Sequence, residues 1–318
     1  MNQALFVVRR LLLTIPMLFV MSIVVFLIIR LVPGDPVRTM LGFRATDQNV
    51  AELRHQLGLD RSLFDQYLGW AGALLHGDLG KDIVSHAPLS QLLAQRLPVT
   101  FELTALSMLL AVAVGVPLGI RAATGGKWVR RLTESFVIFG ISVPDFWLGI
   151  MLVLVFAGTL VLLPPSGYVP FAIDPIGNLR YMLLPVLTLA TGEAAYILRT
   201  TRAAITGVMD RPFVTFLRAK GISPTRIVFG HALRNAGPSI VTVIGIQVGV
   251  LLGGAIIVET MFALPGVGRL VVTGINQRNY PIVQIGVLAI STIFIVVSLV
   301  TDLVIAWLDP RVADGAAT

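Results

Sequence analysis

One acidic residue, Glu193, lies inside an otherwise uncharged stretch that runs from Tyr181 to Leu198. It precedes Arg199 by six residues, which corresponds to about 9 Å along a helix. If this stretch crosses a membrane, an ionisable side chain there is costly and normally faces a bundle interior or a water-filled cavity. The Glu193 carboxyl group would then favour a cationic ligand, and an internal ion pair is the alternative. Gln247, the polar residue of another uncharged stretch, is a second candidate for such a cavity.

A basic segment follows, with seven Arg and Lys residues between positions 199 and 234. Within it, Phe213–Gly221 has the pattern of a short amphipathic helix ended by glycine, and Ser223-Pro224 supplies an N-cap followed by a proline at the first helical position. A second helix would then run through His231-Ala-Leu-Arg234. The pattern predicts a helix-turn-helix, while an ordinary positively charged cytoplasmic loop is the simpler explanation.

Patterns typical of catalysis or metal binding are missing from the sequence. The chain has no cysteine, and its four histidines lack metal-ligand spacing. No nucleophile, base and acid combination stands out. A phosphate-binding loop is also missing, because Gly126-Lys127 is followed by Trp128 and not by Ser or Thr. We therefore expect no catalytic residue, no metal, no cofactor on this chain and no ATP hydrolysis by it alone.

Composition points to a membrane protein. Of the 318 residues, 56% are hydrophobic and only 13% are charged, and the mean hydropathy is +0.87. A bilayer core about 30 Å thick needs roughly 20 apolar residues per helical crossing, and several stretches satisfy this. The net charge of +7 comes from residues between the apolar stretches, which does not favour a nucleic-acid partner.

The first crossing is predicted near the N-terminus, where Arg9-Arg10 precedes the uncharged stretch Leu11–Ile29. This stretch is too long for a signal peptide, and no small-x-small cleavage site follows it. Together with the other uncharged stretches it predicts an all-α integral membrane protein with about six transmembrane helices. The other stretches are 103–120, 146–173, 181–198, 235–258 and 279–301.

Residues 132–163 are too many for one straight crossing. We interpret them as one helix kinked at Pro144, because proline removes a backbone hydrogen bond and clashes with the preceding turn. A helical hairpin, which would give seven crossings, is the alternative.

The distribution of Lys and Arg predicts the orientation, because short cytoplasmic loops are enriched in both. The basic connections are those before the first helix, between the second and third, and between the fourth and fifth, so both termini are expected in the cytoplasm. We divide the chain into residues 1–32 (N-terminus and first helix), 33–98 (extracytoplasmic helical segment), 99–308 (five further helices, with a basic loop at 199–235) and 309–318 (cytoplasmic tail).

Two short helices are predicted in the extracytoplasmic segment. One spans Gln48–Leu57, with Asp47 as its cap and Gly58 as its stop. The other spans Leu63–Leu75 and is capped by Ser62, with an acidic residue three positions on. The segment is too small for a robust core of its own, so we expect it to pack over the outer face of the bundle, where a binding partner could rest.

Short motifs spread along the chain resemble one family. Arg218-Ala-Lys-Gly221 followed by His231-Ala-Leu-Arg-Asn-Ala236 is similar to the cytoplasmic loop of permease subunits of binding-protein-dependent ABC importers, in the dipeptide and oligopeptide branch. No single tetrapeptide is specific, but the order and spacing of the motifs are. The others are Val32-Pro-Gly-Asp-Pro36, His76-Gly-Asp-Leu-Gly80, Pro164-Pro-Ser-Gly167, Leu184-Pro185, Val243-Ile-Gly-Ile-Gln-Val-Gly249, Pro265-Gly-Val-Gly268 and Asp309-Pro-Arg311.

The resemblance implies a permease fold of the MetI-like type and makes the predicted helix Phe213–Gly221 a coupling helix in a cleft of a cytoplasmic ATPase. Apolar side chains would fill the cleft and basic ones would meet acidic groups at its rim. Thr215-Phe216-Leu217 and Gly237-Pro238 depart from the usual pattern, which suggests a docking pocket specific to its own ATPase. The residues expected to couple are Phe213, Phe216, Leu217, Arg218, Ala219, Lys220, Gly221, Ser223, His231 and Arg234.

The resemblance also implies partners and a location. It implies a second, homologous permease in a heterodimer, one or two ATPase subunits that carry ATP and Mg, and an extracytoplasmic substrate-binding protein, all at the bacterial cytoplasmic (inner) membrane. This chain would form half of an alternating-access pathway in the lipid bilayer. The implied substrate is a dipeptide or oligopeptide, whose amino terminus Glu193 would favour. Nickel complexes, haem, glutathione and oligosaccharides remain alternatives.

Small residues repeat every four positions on two predicted helices. Gly245, Gly249 and Gly253 form one such stripe, and Ala111, Gly115 and Gly119 the other. Small stripes let helices approach closely in lipid, either within the subunit or against a partner permease beside the pathway.

Two other classes of function remain as alternatives. In a proton-coupled secondary transporter, Glu193 would carry the proton, and uptake would stop with an uncoupler while ATP remained. An intramembrane enzyme is the weaker alternative, since the membrane acids lack a matched nucleophile.

Overall fold

The computed structural model describes residues 3–31, 37–38, 45–56 and 58–308, and these residues are mainly helical. The motif at residues 32–36, the predicted helix end at Leu57 and the predicted tail at 309–318 lie outside the described residues. The helices are α1 (Gln3–Leu31), α2 (Asp47–Gln56), α3 (Leu63–Leu75), α4 (Leu89–Thr124), α5 (Lys127–Ser142), α6 (Asp145–Thr159), α7 (Pro175–Met209), α8 (Pro212–Ala219), α9 (Pro224–Met261), α10 (Val267–Asn276) and α11 (Tyr280–Leu308).

Five of these helices are long and apolar enough to cross a membrane: α1, α4, α7, α9 and α11. A sixth crossing is available if α5 and α6 together count as one broken span. This agrees with the all-α fold and the count of about six that the sequence predicts.

The break between α5 and α6 falls at Pro144, as expected, but it is far sharper than a kink. The two helices meet at 104°. Val143 leaves the helical region with ψ 122°, and Pro144 then begins α6 as its N-cap. Proline disfavours helical backbone at the residue before it and cannot donate to the preceding turn. The continuous, kinked helix expected over 132–163 is therefore replaced by two helices.

The chain forms two compact units, and the larger comprises residues 1–12, 101–264 and 296–318. Helix α7 lies at its centre, packed against α5, α6 and α9. Close approach of α4 and α7 depends on glycine, because a Cβ at Gly115 would lie 2.8 Å from the Ala194 carbonyl oxygen and one at Gly119 would lie 2.6 Å from the Thr201 Cβ. The stripe that begins at Ala111 therefore packs helices within the subunit.

The second unit comprises residues 13–100 and 265–295. Its core is formed by the start of α4, by α10 and by the first half of α11. The side chains are Leu89, Leu93, Val267, Leu270, Val271, Ile282 and Ile285.

The two short helices predicted in the extracytoplasmic segment are both present in the second unit. Helix α3 has the predicted bounds, and Ser62 caps it by accepting from the Asp65 backbone N–H at 3.1 Å. Helix α2 begins at Asp47, one residue earlier than predicted. Asp47 is therefore not the cap; the Thr46 hydroxyl accepts from the Asn49 N–H at 3.3 Å. Gly58 has a φ of +65° just after the helix, in agreement with its predicted role as a stop.

A buried carboxylate holds the connection between α3 and α4. Asp82 is 8% exposed and accepts hydrogen bonds from the Val84 and Ser85 N–H groups, the Ser85 hydroxyl and the Asn279 side-chain amide. Burial by itself raises the pKa of Asp82, but these donors outweigh it and bring the pKa below its usual value. The carboxylate thereby ties this connection to the start of α11.

Candidate functional site

The basic segment forms a short helix, α8, where the sequence predicts one. It begins at Pro212 directly after α7 and ends at Ala219, two residues before the predicted Gly221 boundary. Gly221 has a φ of +74°, a conformation that glycine adopts at little cost, and the turn is closed by a hydrogen bond from the Ile222 N–H to the Leu217 carbonyl at 3.2 Å. The chain therefore reverses sharply between α8 and α9.

One face of α8 is anchored in the larger unit. Val214 is completely buried, and Phe213 packs against a core cluster that draws residues from α4, α7 and α9. Val214 is not among the residues predicted from the sequence; it lies three residues before the half-buried Leu217 on the same side of the helix. The cluster consists of Ile120, Ile205, Val208, Val228, Ala232, Ala236 and Ile240.

Phe216 and the C-terminal residues of α8 are exposed. Phe216 is 58% exposed, and the side chains of Arg218, Ala219 and Lys220 are exposed beside it. The Lys220 Nζ lies 4.5 Å from the centre of the Phe216 ring, within the range of a cation–π contact. Of the three apolar residues expected to fill a cleft, Phe216 is thus the one directed outward.

The second half of the predicted helix-turn-helix is not a separate helix. Ser223 occupies the N-cap position of α9 and Pro224 its first turn, as predicted, although the Ser223 side chain makes no capping hydrogen bond. From there α9 continues through His231 and Arg234 to Met261. Pro238 lies inside α9 and does not end it, although a proline removes one backbone hydrogen bond of a helix.

Glu193 and Gln247 meet inside the larger unit. Glu193 of α7 is 7% exposed and Gln247 of α9 is 6% exposed, and the Gln247 Nε2 donates to the Glu193 Oε2 at 2.6 Å. The partner of the carboxyl group is therefore an amide, and not the cation of the ion-pair alternative. Two separate uncharged stretches of the sequence gave no direct sign of this contact.

Asp145, the first residue of α6, contributes a second carboxyl group to this region. Its carboxylate oxygens lie against Gly192 of α7 and Gly254 of α9, where a Cβ would be 3.5 Å and 3.6 Å away from them. The break at Pro144 thus brings the N-terminal end of α6 against α7 and α9, the helices that carry Glu193 and Gln247. We call Asp145, Glu193 and Gln247 the polar centre.

The glycine stripe of α9 is divided between two environments. A Cβ at Gly245 would overlap the Thr301 side chain of α11, so this glycine packs within the subunit. Gly249 is partly buried. Gly253 is exposed, with no neighbouring atom within 4 Å of a Cβ. The stripe therefore serves internal packing at one end and leaves a free surface at the other.

Comparison with known protein families identifies the group to which these features belong. The family described as "Binding-protein-dependent transport system inner membrane component" matches residues 115–314, which include α7, α8 and α9. The N-terminal family of the same systems matches residues 3–104. The chain belongs to this permease family. It is the membrane-spanning permease component of an ABC transporter, and a multi-pass inner-membrane protein.

The alignments with similar proteins extend over almost the whole permease. The probable peptide ABC transporter permease protein y4tP of Sinorhizobium fredii is 39% identical over 308 residues, with 96% of this chain and 98% of the relative aligned. The glutathione transport system permease protein GsiC of Escherichia coli K12 is also 39% identical, over the same shares of both chains.

Solved structures confirm the fold. The permease resembles a chain of the inward-facing MetNI methionine ABC transporter with a TM-score of 0.56 at 17% sequence identity. The match covers 70% of this chain and 98% of the other. At this identity the similarity establishes the MetI-like fold alone.

Proposed function

We propose that this permease imports short peptides and that α8 is the helix through which cytoplasmic ATPases drive it. The observation that supports the proposal is that α8 has a buried anchor at Val214 and exposed residues at Phe216, Arg218 and Lys220, with the Lys220 Nζ against the Phe216 ring. An exposed aromatic residue with a cation beside it suits a cleft with acidic groups at its rim.

The packing of α8 against the larger unit connects it mechanically to the long helices. Because Phe213 packs against a cluster with residues from α4, α7 and α9, a push on α8 reaches three long helices. Closure of the ATPases on ATP and Mg would in this way rock the helices between inward-open and outward-open states. The chain acts as a path and a lever and leaves ATP hydrolysis to its partners.

The complex that we propose contains a second, homologous permease, one or two ATPase subunits and an extracytoplasmic binding protein that delivers the substrate. Both termini lie in the cytoplasm. This follows from the basic residues around α8 and at the N-terminus, since such residues are enriched in cytoplasmic loops. The exposed Gly253 end of the α9 stripe is the surface that we assign to the partner permease.

The polar centre is assigned to the passage. Glu193 and Gln247 are buried within this chain, so they reach substrate when α7 and α9 separate during transport. The carboxyl group then favours the amino terminus of a peptide. We expect Glu193→Gln to reduce the preference for dipeptides with a free amino terminus over N-acetylated ones in proteoliposomes. An unchanged preference would contradict the assignment of Glu193 to the passage.

Copurification from the native membrane tests the assembly. We expect mass spectrometry of the purified complex to identify a second permease, at least one ATPase and the bound substrate. A chain that purifies alone and transports peptides without ATP would contradict the proposal.

Glutathione is the second candidate substrate, because relatives named glutathione permeases are as similar to this chain as the relatives named peptide permeases. ATP-dependent uptake of a labelled dipeptide and of labelled glutathione, each measured in proteoliposomes with the binding protein and ATPases present, distinguishes the two. Uptake of the dipeptide but not of glutathione supports the peptide assignment, and uptake of glutathione but not of the dipeptide replaces it.

A further inference from the structure

Helix α3 presents an unusually apolar surface. None of its residues is buried. Leu63, Phe64, Leu68 and Leu75 are 54%, 70%, 51% and 88% exposed, respectively. Exposed apolar residues in such a concentration mark an interaction surface.

The other face of α3 packs against α1. The Tyr67 ring lies 6.4 Å from the Phe19 ring and 5.3 Å from the Phe26 ring, both in edge-to-face arrangements, and the Trp70 ring lies 5.8 Å from the Phe26 ring. The Tyr67 hydroxyl also hydrogen-bonds the Ser22 hydroxyl at 2.8 Å. Tyr67 thus touches α1 over about two turns.

This contact lies within the part of α1 that crosses the membrane. The apolar window of α1 extends to Leu27, and Ser22 is five residues earlier, about 7.5 Å along the helix. The hydroxyl pair of Ser22 and Tyr67 is what a polar group in hydrocarbon requires, because water is not available there as a partner. Helix α3 therefore passes α1 at a level inside the bilayer and not above it.

The length and charge pattern of α3 agree with this level. Its 13 residues span about 20 Å, too short for a crossing and typical of a re-entrant or interfacial segment. No charged residue lies between Asp65 and His76. Trp70 and Tyr67 are residues that concentrate at membrane interfaces.

We infer that the exposed face of α3 is inserted into the bilayer at the level of Ser22 in α1 and contacts lipid acyl chains. Helix α1, against which α3 packs, also exposes apolar side chains at Val20 and Val24. A docking site for a soluble protein would carry a polar or charged rim; within α3 the polar positions are confined to the N-terminal turn. The segment between the first two transmembrane helices is thus partly a membrane element, and not wholly an extracytoplasmic cover.

The natural chain contains no cysteine, so single-cysteine variants can be labelled without background. We would introduce Leu68→Cys and Phe64→Cys separately, label each with a bimane fluorophore, and reconstitute the assembled transporter in phosphatidylcholine and phosphatidylglycerol vesicles. Quenching by a lipid carrying a nitroxide on its acyl chain is compared with quenching by aqueous iodide. Val24→Cys on α1 is the lipid reference. Val84→Cys, 66% exposed in the connection before α4, is the water reference.

The expected result is that both α3 labels follow the Val24 reference, with the lipid quencher at least threefold more effective than iodide. Stronger quenching by iodide at either α3 position would overturn the inference. Protection from both quenchers would overturn it as well, because it would mean that another protein chain covers the face. Only variants that retain ATP-dependent uptake are used for this comparison. If one of the two α3 variants loses uptake, Leu75→Cys is used in its place.

Discussion

Helices α3 and α8 are both short and both carry exposed apolar side chains, yet their surroundings differ. Helix α8 is anchored by one fully buried residue, and a cation, Lys220, lies against its exposed Phe216. Helix α3 has no buried residue, and its own residues include no Lys or Arg. Charged residues beside an exposed apolar side chain remain hydrated until a protein partner binds. An apolar face without neighbouring charges is compatible with lipid. The charges around an exposed hydrophobe thus indicate which solvent it meets.

The largest effect is expected at the anchor of α8. Val214→Asp places a charge at a completely buried position, which costs several kcal/mol without a partner. We expect the variant to fail to assemble with its ATPases and to lose uptake. Thr225→Asp, which adds the same charge at an exposed position in the first turn of α9, is the control. Copurification with the ATPases measures assembly, and thermal unfolding of each purified permease measures stability; equal results for the two variants would contradict the anchoring role.

A charge on α3 should have the next largest effect. Leu68→Asp is expected to destabilise the permease by about 2 kcal/mol in lipid nanodiscs, because ionisable groups in hydrocarbon are costly. The same change on the exposed face of α8, Thr215→Asp, should alter stability by less than about 0.5 kcal/mol. Urea titration of both variants gives the comparison. If the two substitutions have the same effect, the two helices face the same solvent.

The exposed tip of α8 should act on binding and not on stability. Phe216→Ala is expected to weaken ATPase binding about tenfold, as for an aromatic residue central to an interface, with an unchanged unfolding temperature. Phe229→Ala on α9 is a matched control, since Phe229 is also 58% exposed. Surface plasmon resonance with the isolated ATPase measures both affinities. Equal losses would show that the contact is not centred on α8.

The smallest effect concerns the connection that follows α3. Because the pKa of Asp82 is lowered in the folded chain, its stabilising contribution is present above the unfolded pKa of about 3.9 and is lost as pH falls through the folded value. Asp82→Asn should therefore lower stability at pH 7 by about 1–2 kcal/mol, as expected for lost buried hydrogen bonds. The gap from the natural chain should narrow at pH 3. Unfolding temperatures at both pH values check this, and a constant gap would exclude the carboxylate as its cause.

Much of the fold could be predicted from the sequence, because membrane helices are defined by local composition. The uncharged stretches, the Ser62 cap and Pro144 each act within a few residues of chain, so the number of spans, the bounds of α3 and the place of the break were correct. The angle between the two helices at the break was not predictable. Proline determines where a helix ends, whereas the direction of the next helix depends on what it packs against.

The candidate site also has features that were predictable from the sequence and features that depended on helix packing. The order of basic and apolar residues from Phe213 to Gly221 predicted α8 and its turn, since amphipathic periodicity and a glycine stop are local signals. Which side of α8 is anchored depended on tertiary packing: Phe213 packs against the cluster formed by α4, α7 and α9, and Val214, not Phe216, is the buried residue. Glu193 and Gln247 are separated by 54 positions and meet only because two helices pack together.

Hydrophobic length and motif order, which are read directly along the chain, were sufficient to identify a permease of binding-protein-dependent transport. The contacts of α3 and α8 required the tertiary structure, because they arise from packing against other parts of the chain. These are α1 beside Tyr67 and the helical cluster against which Phe213 packs. Burial is a property of the assembled helices, and no single segment encodes it.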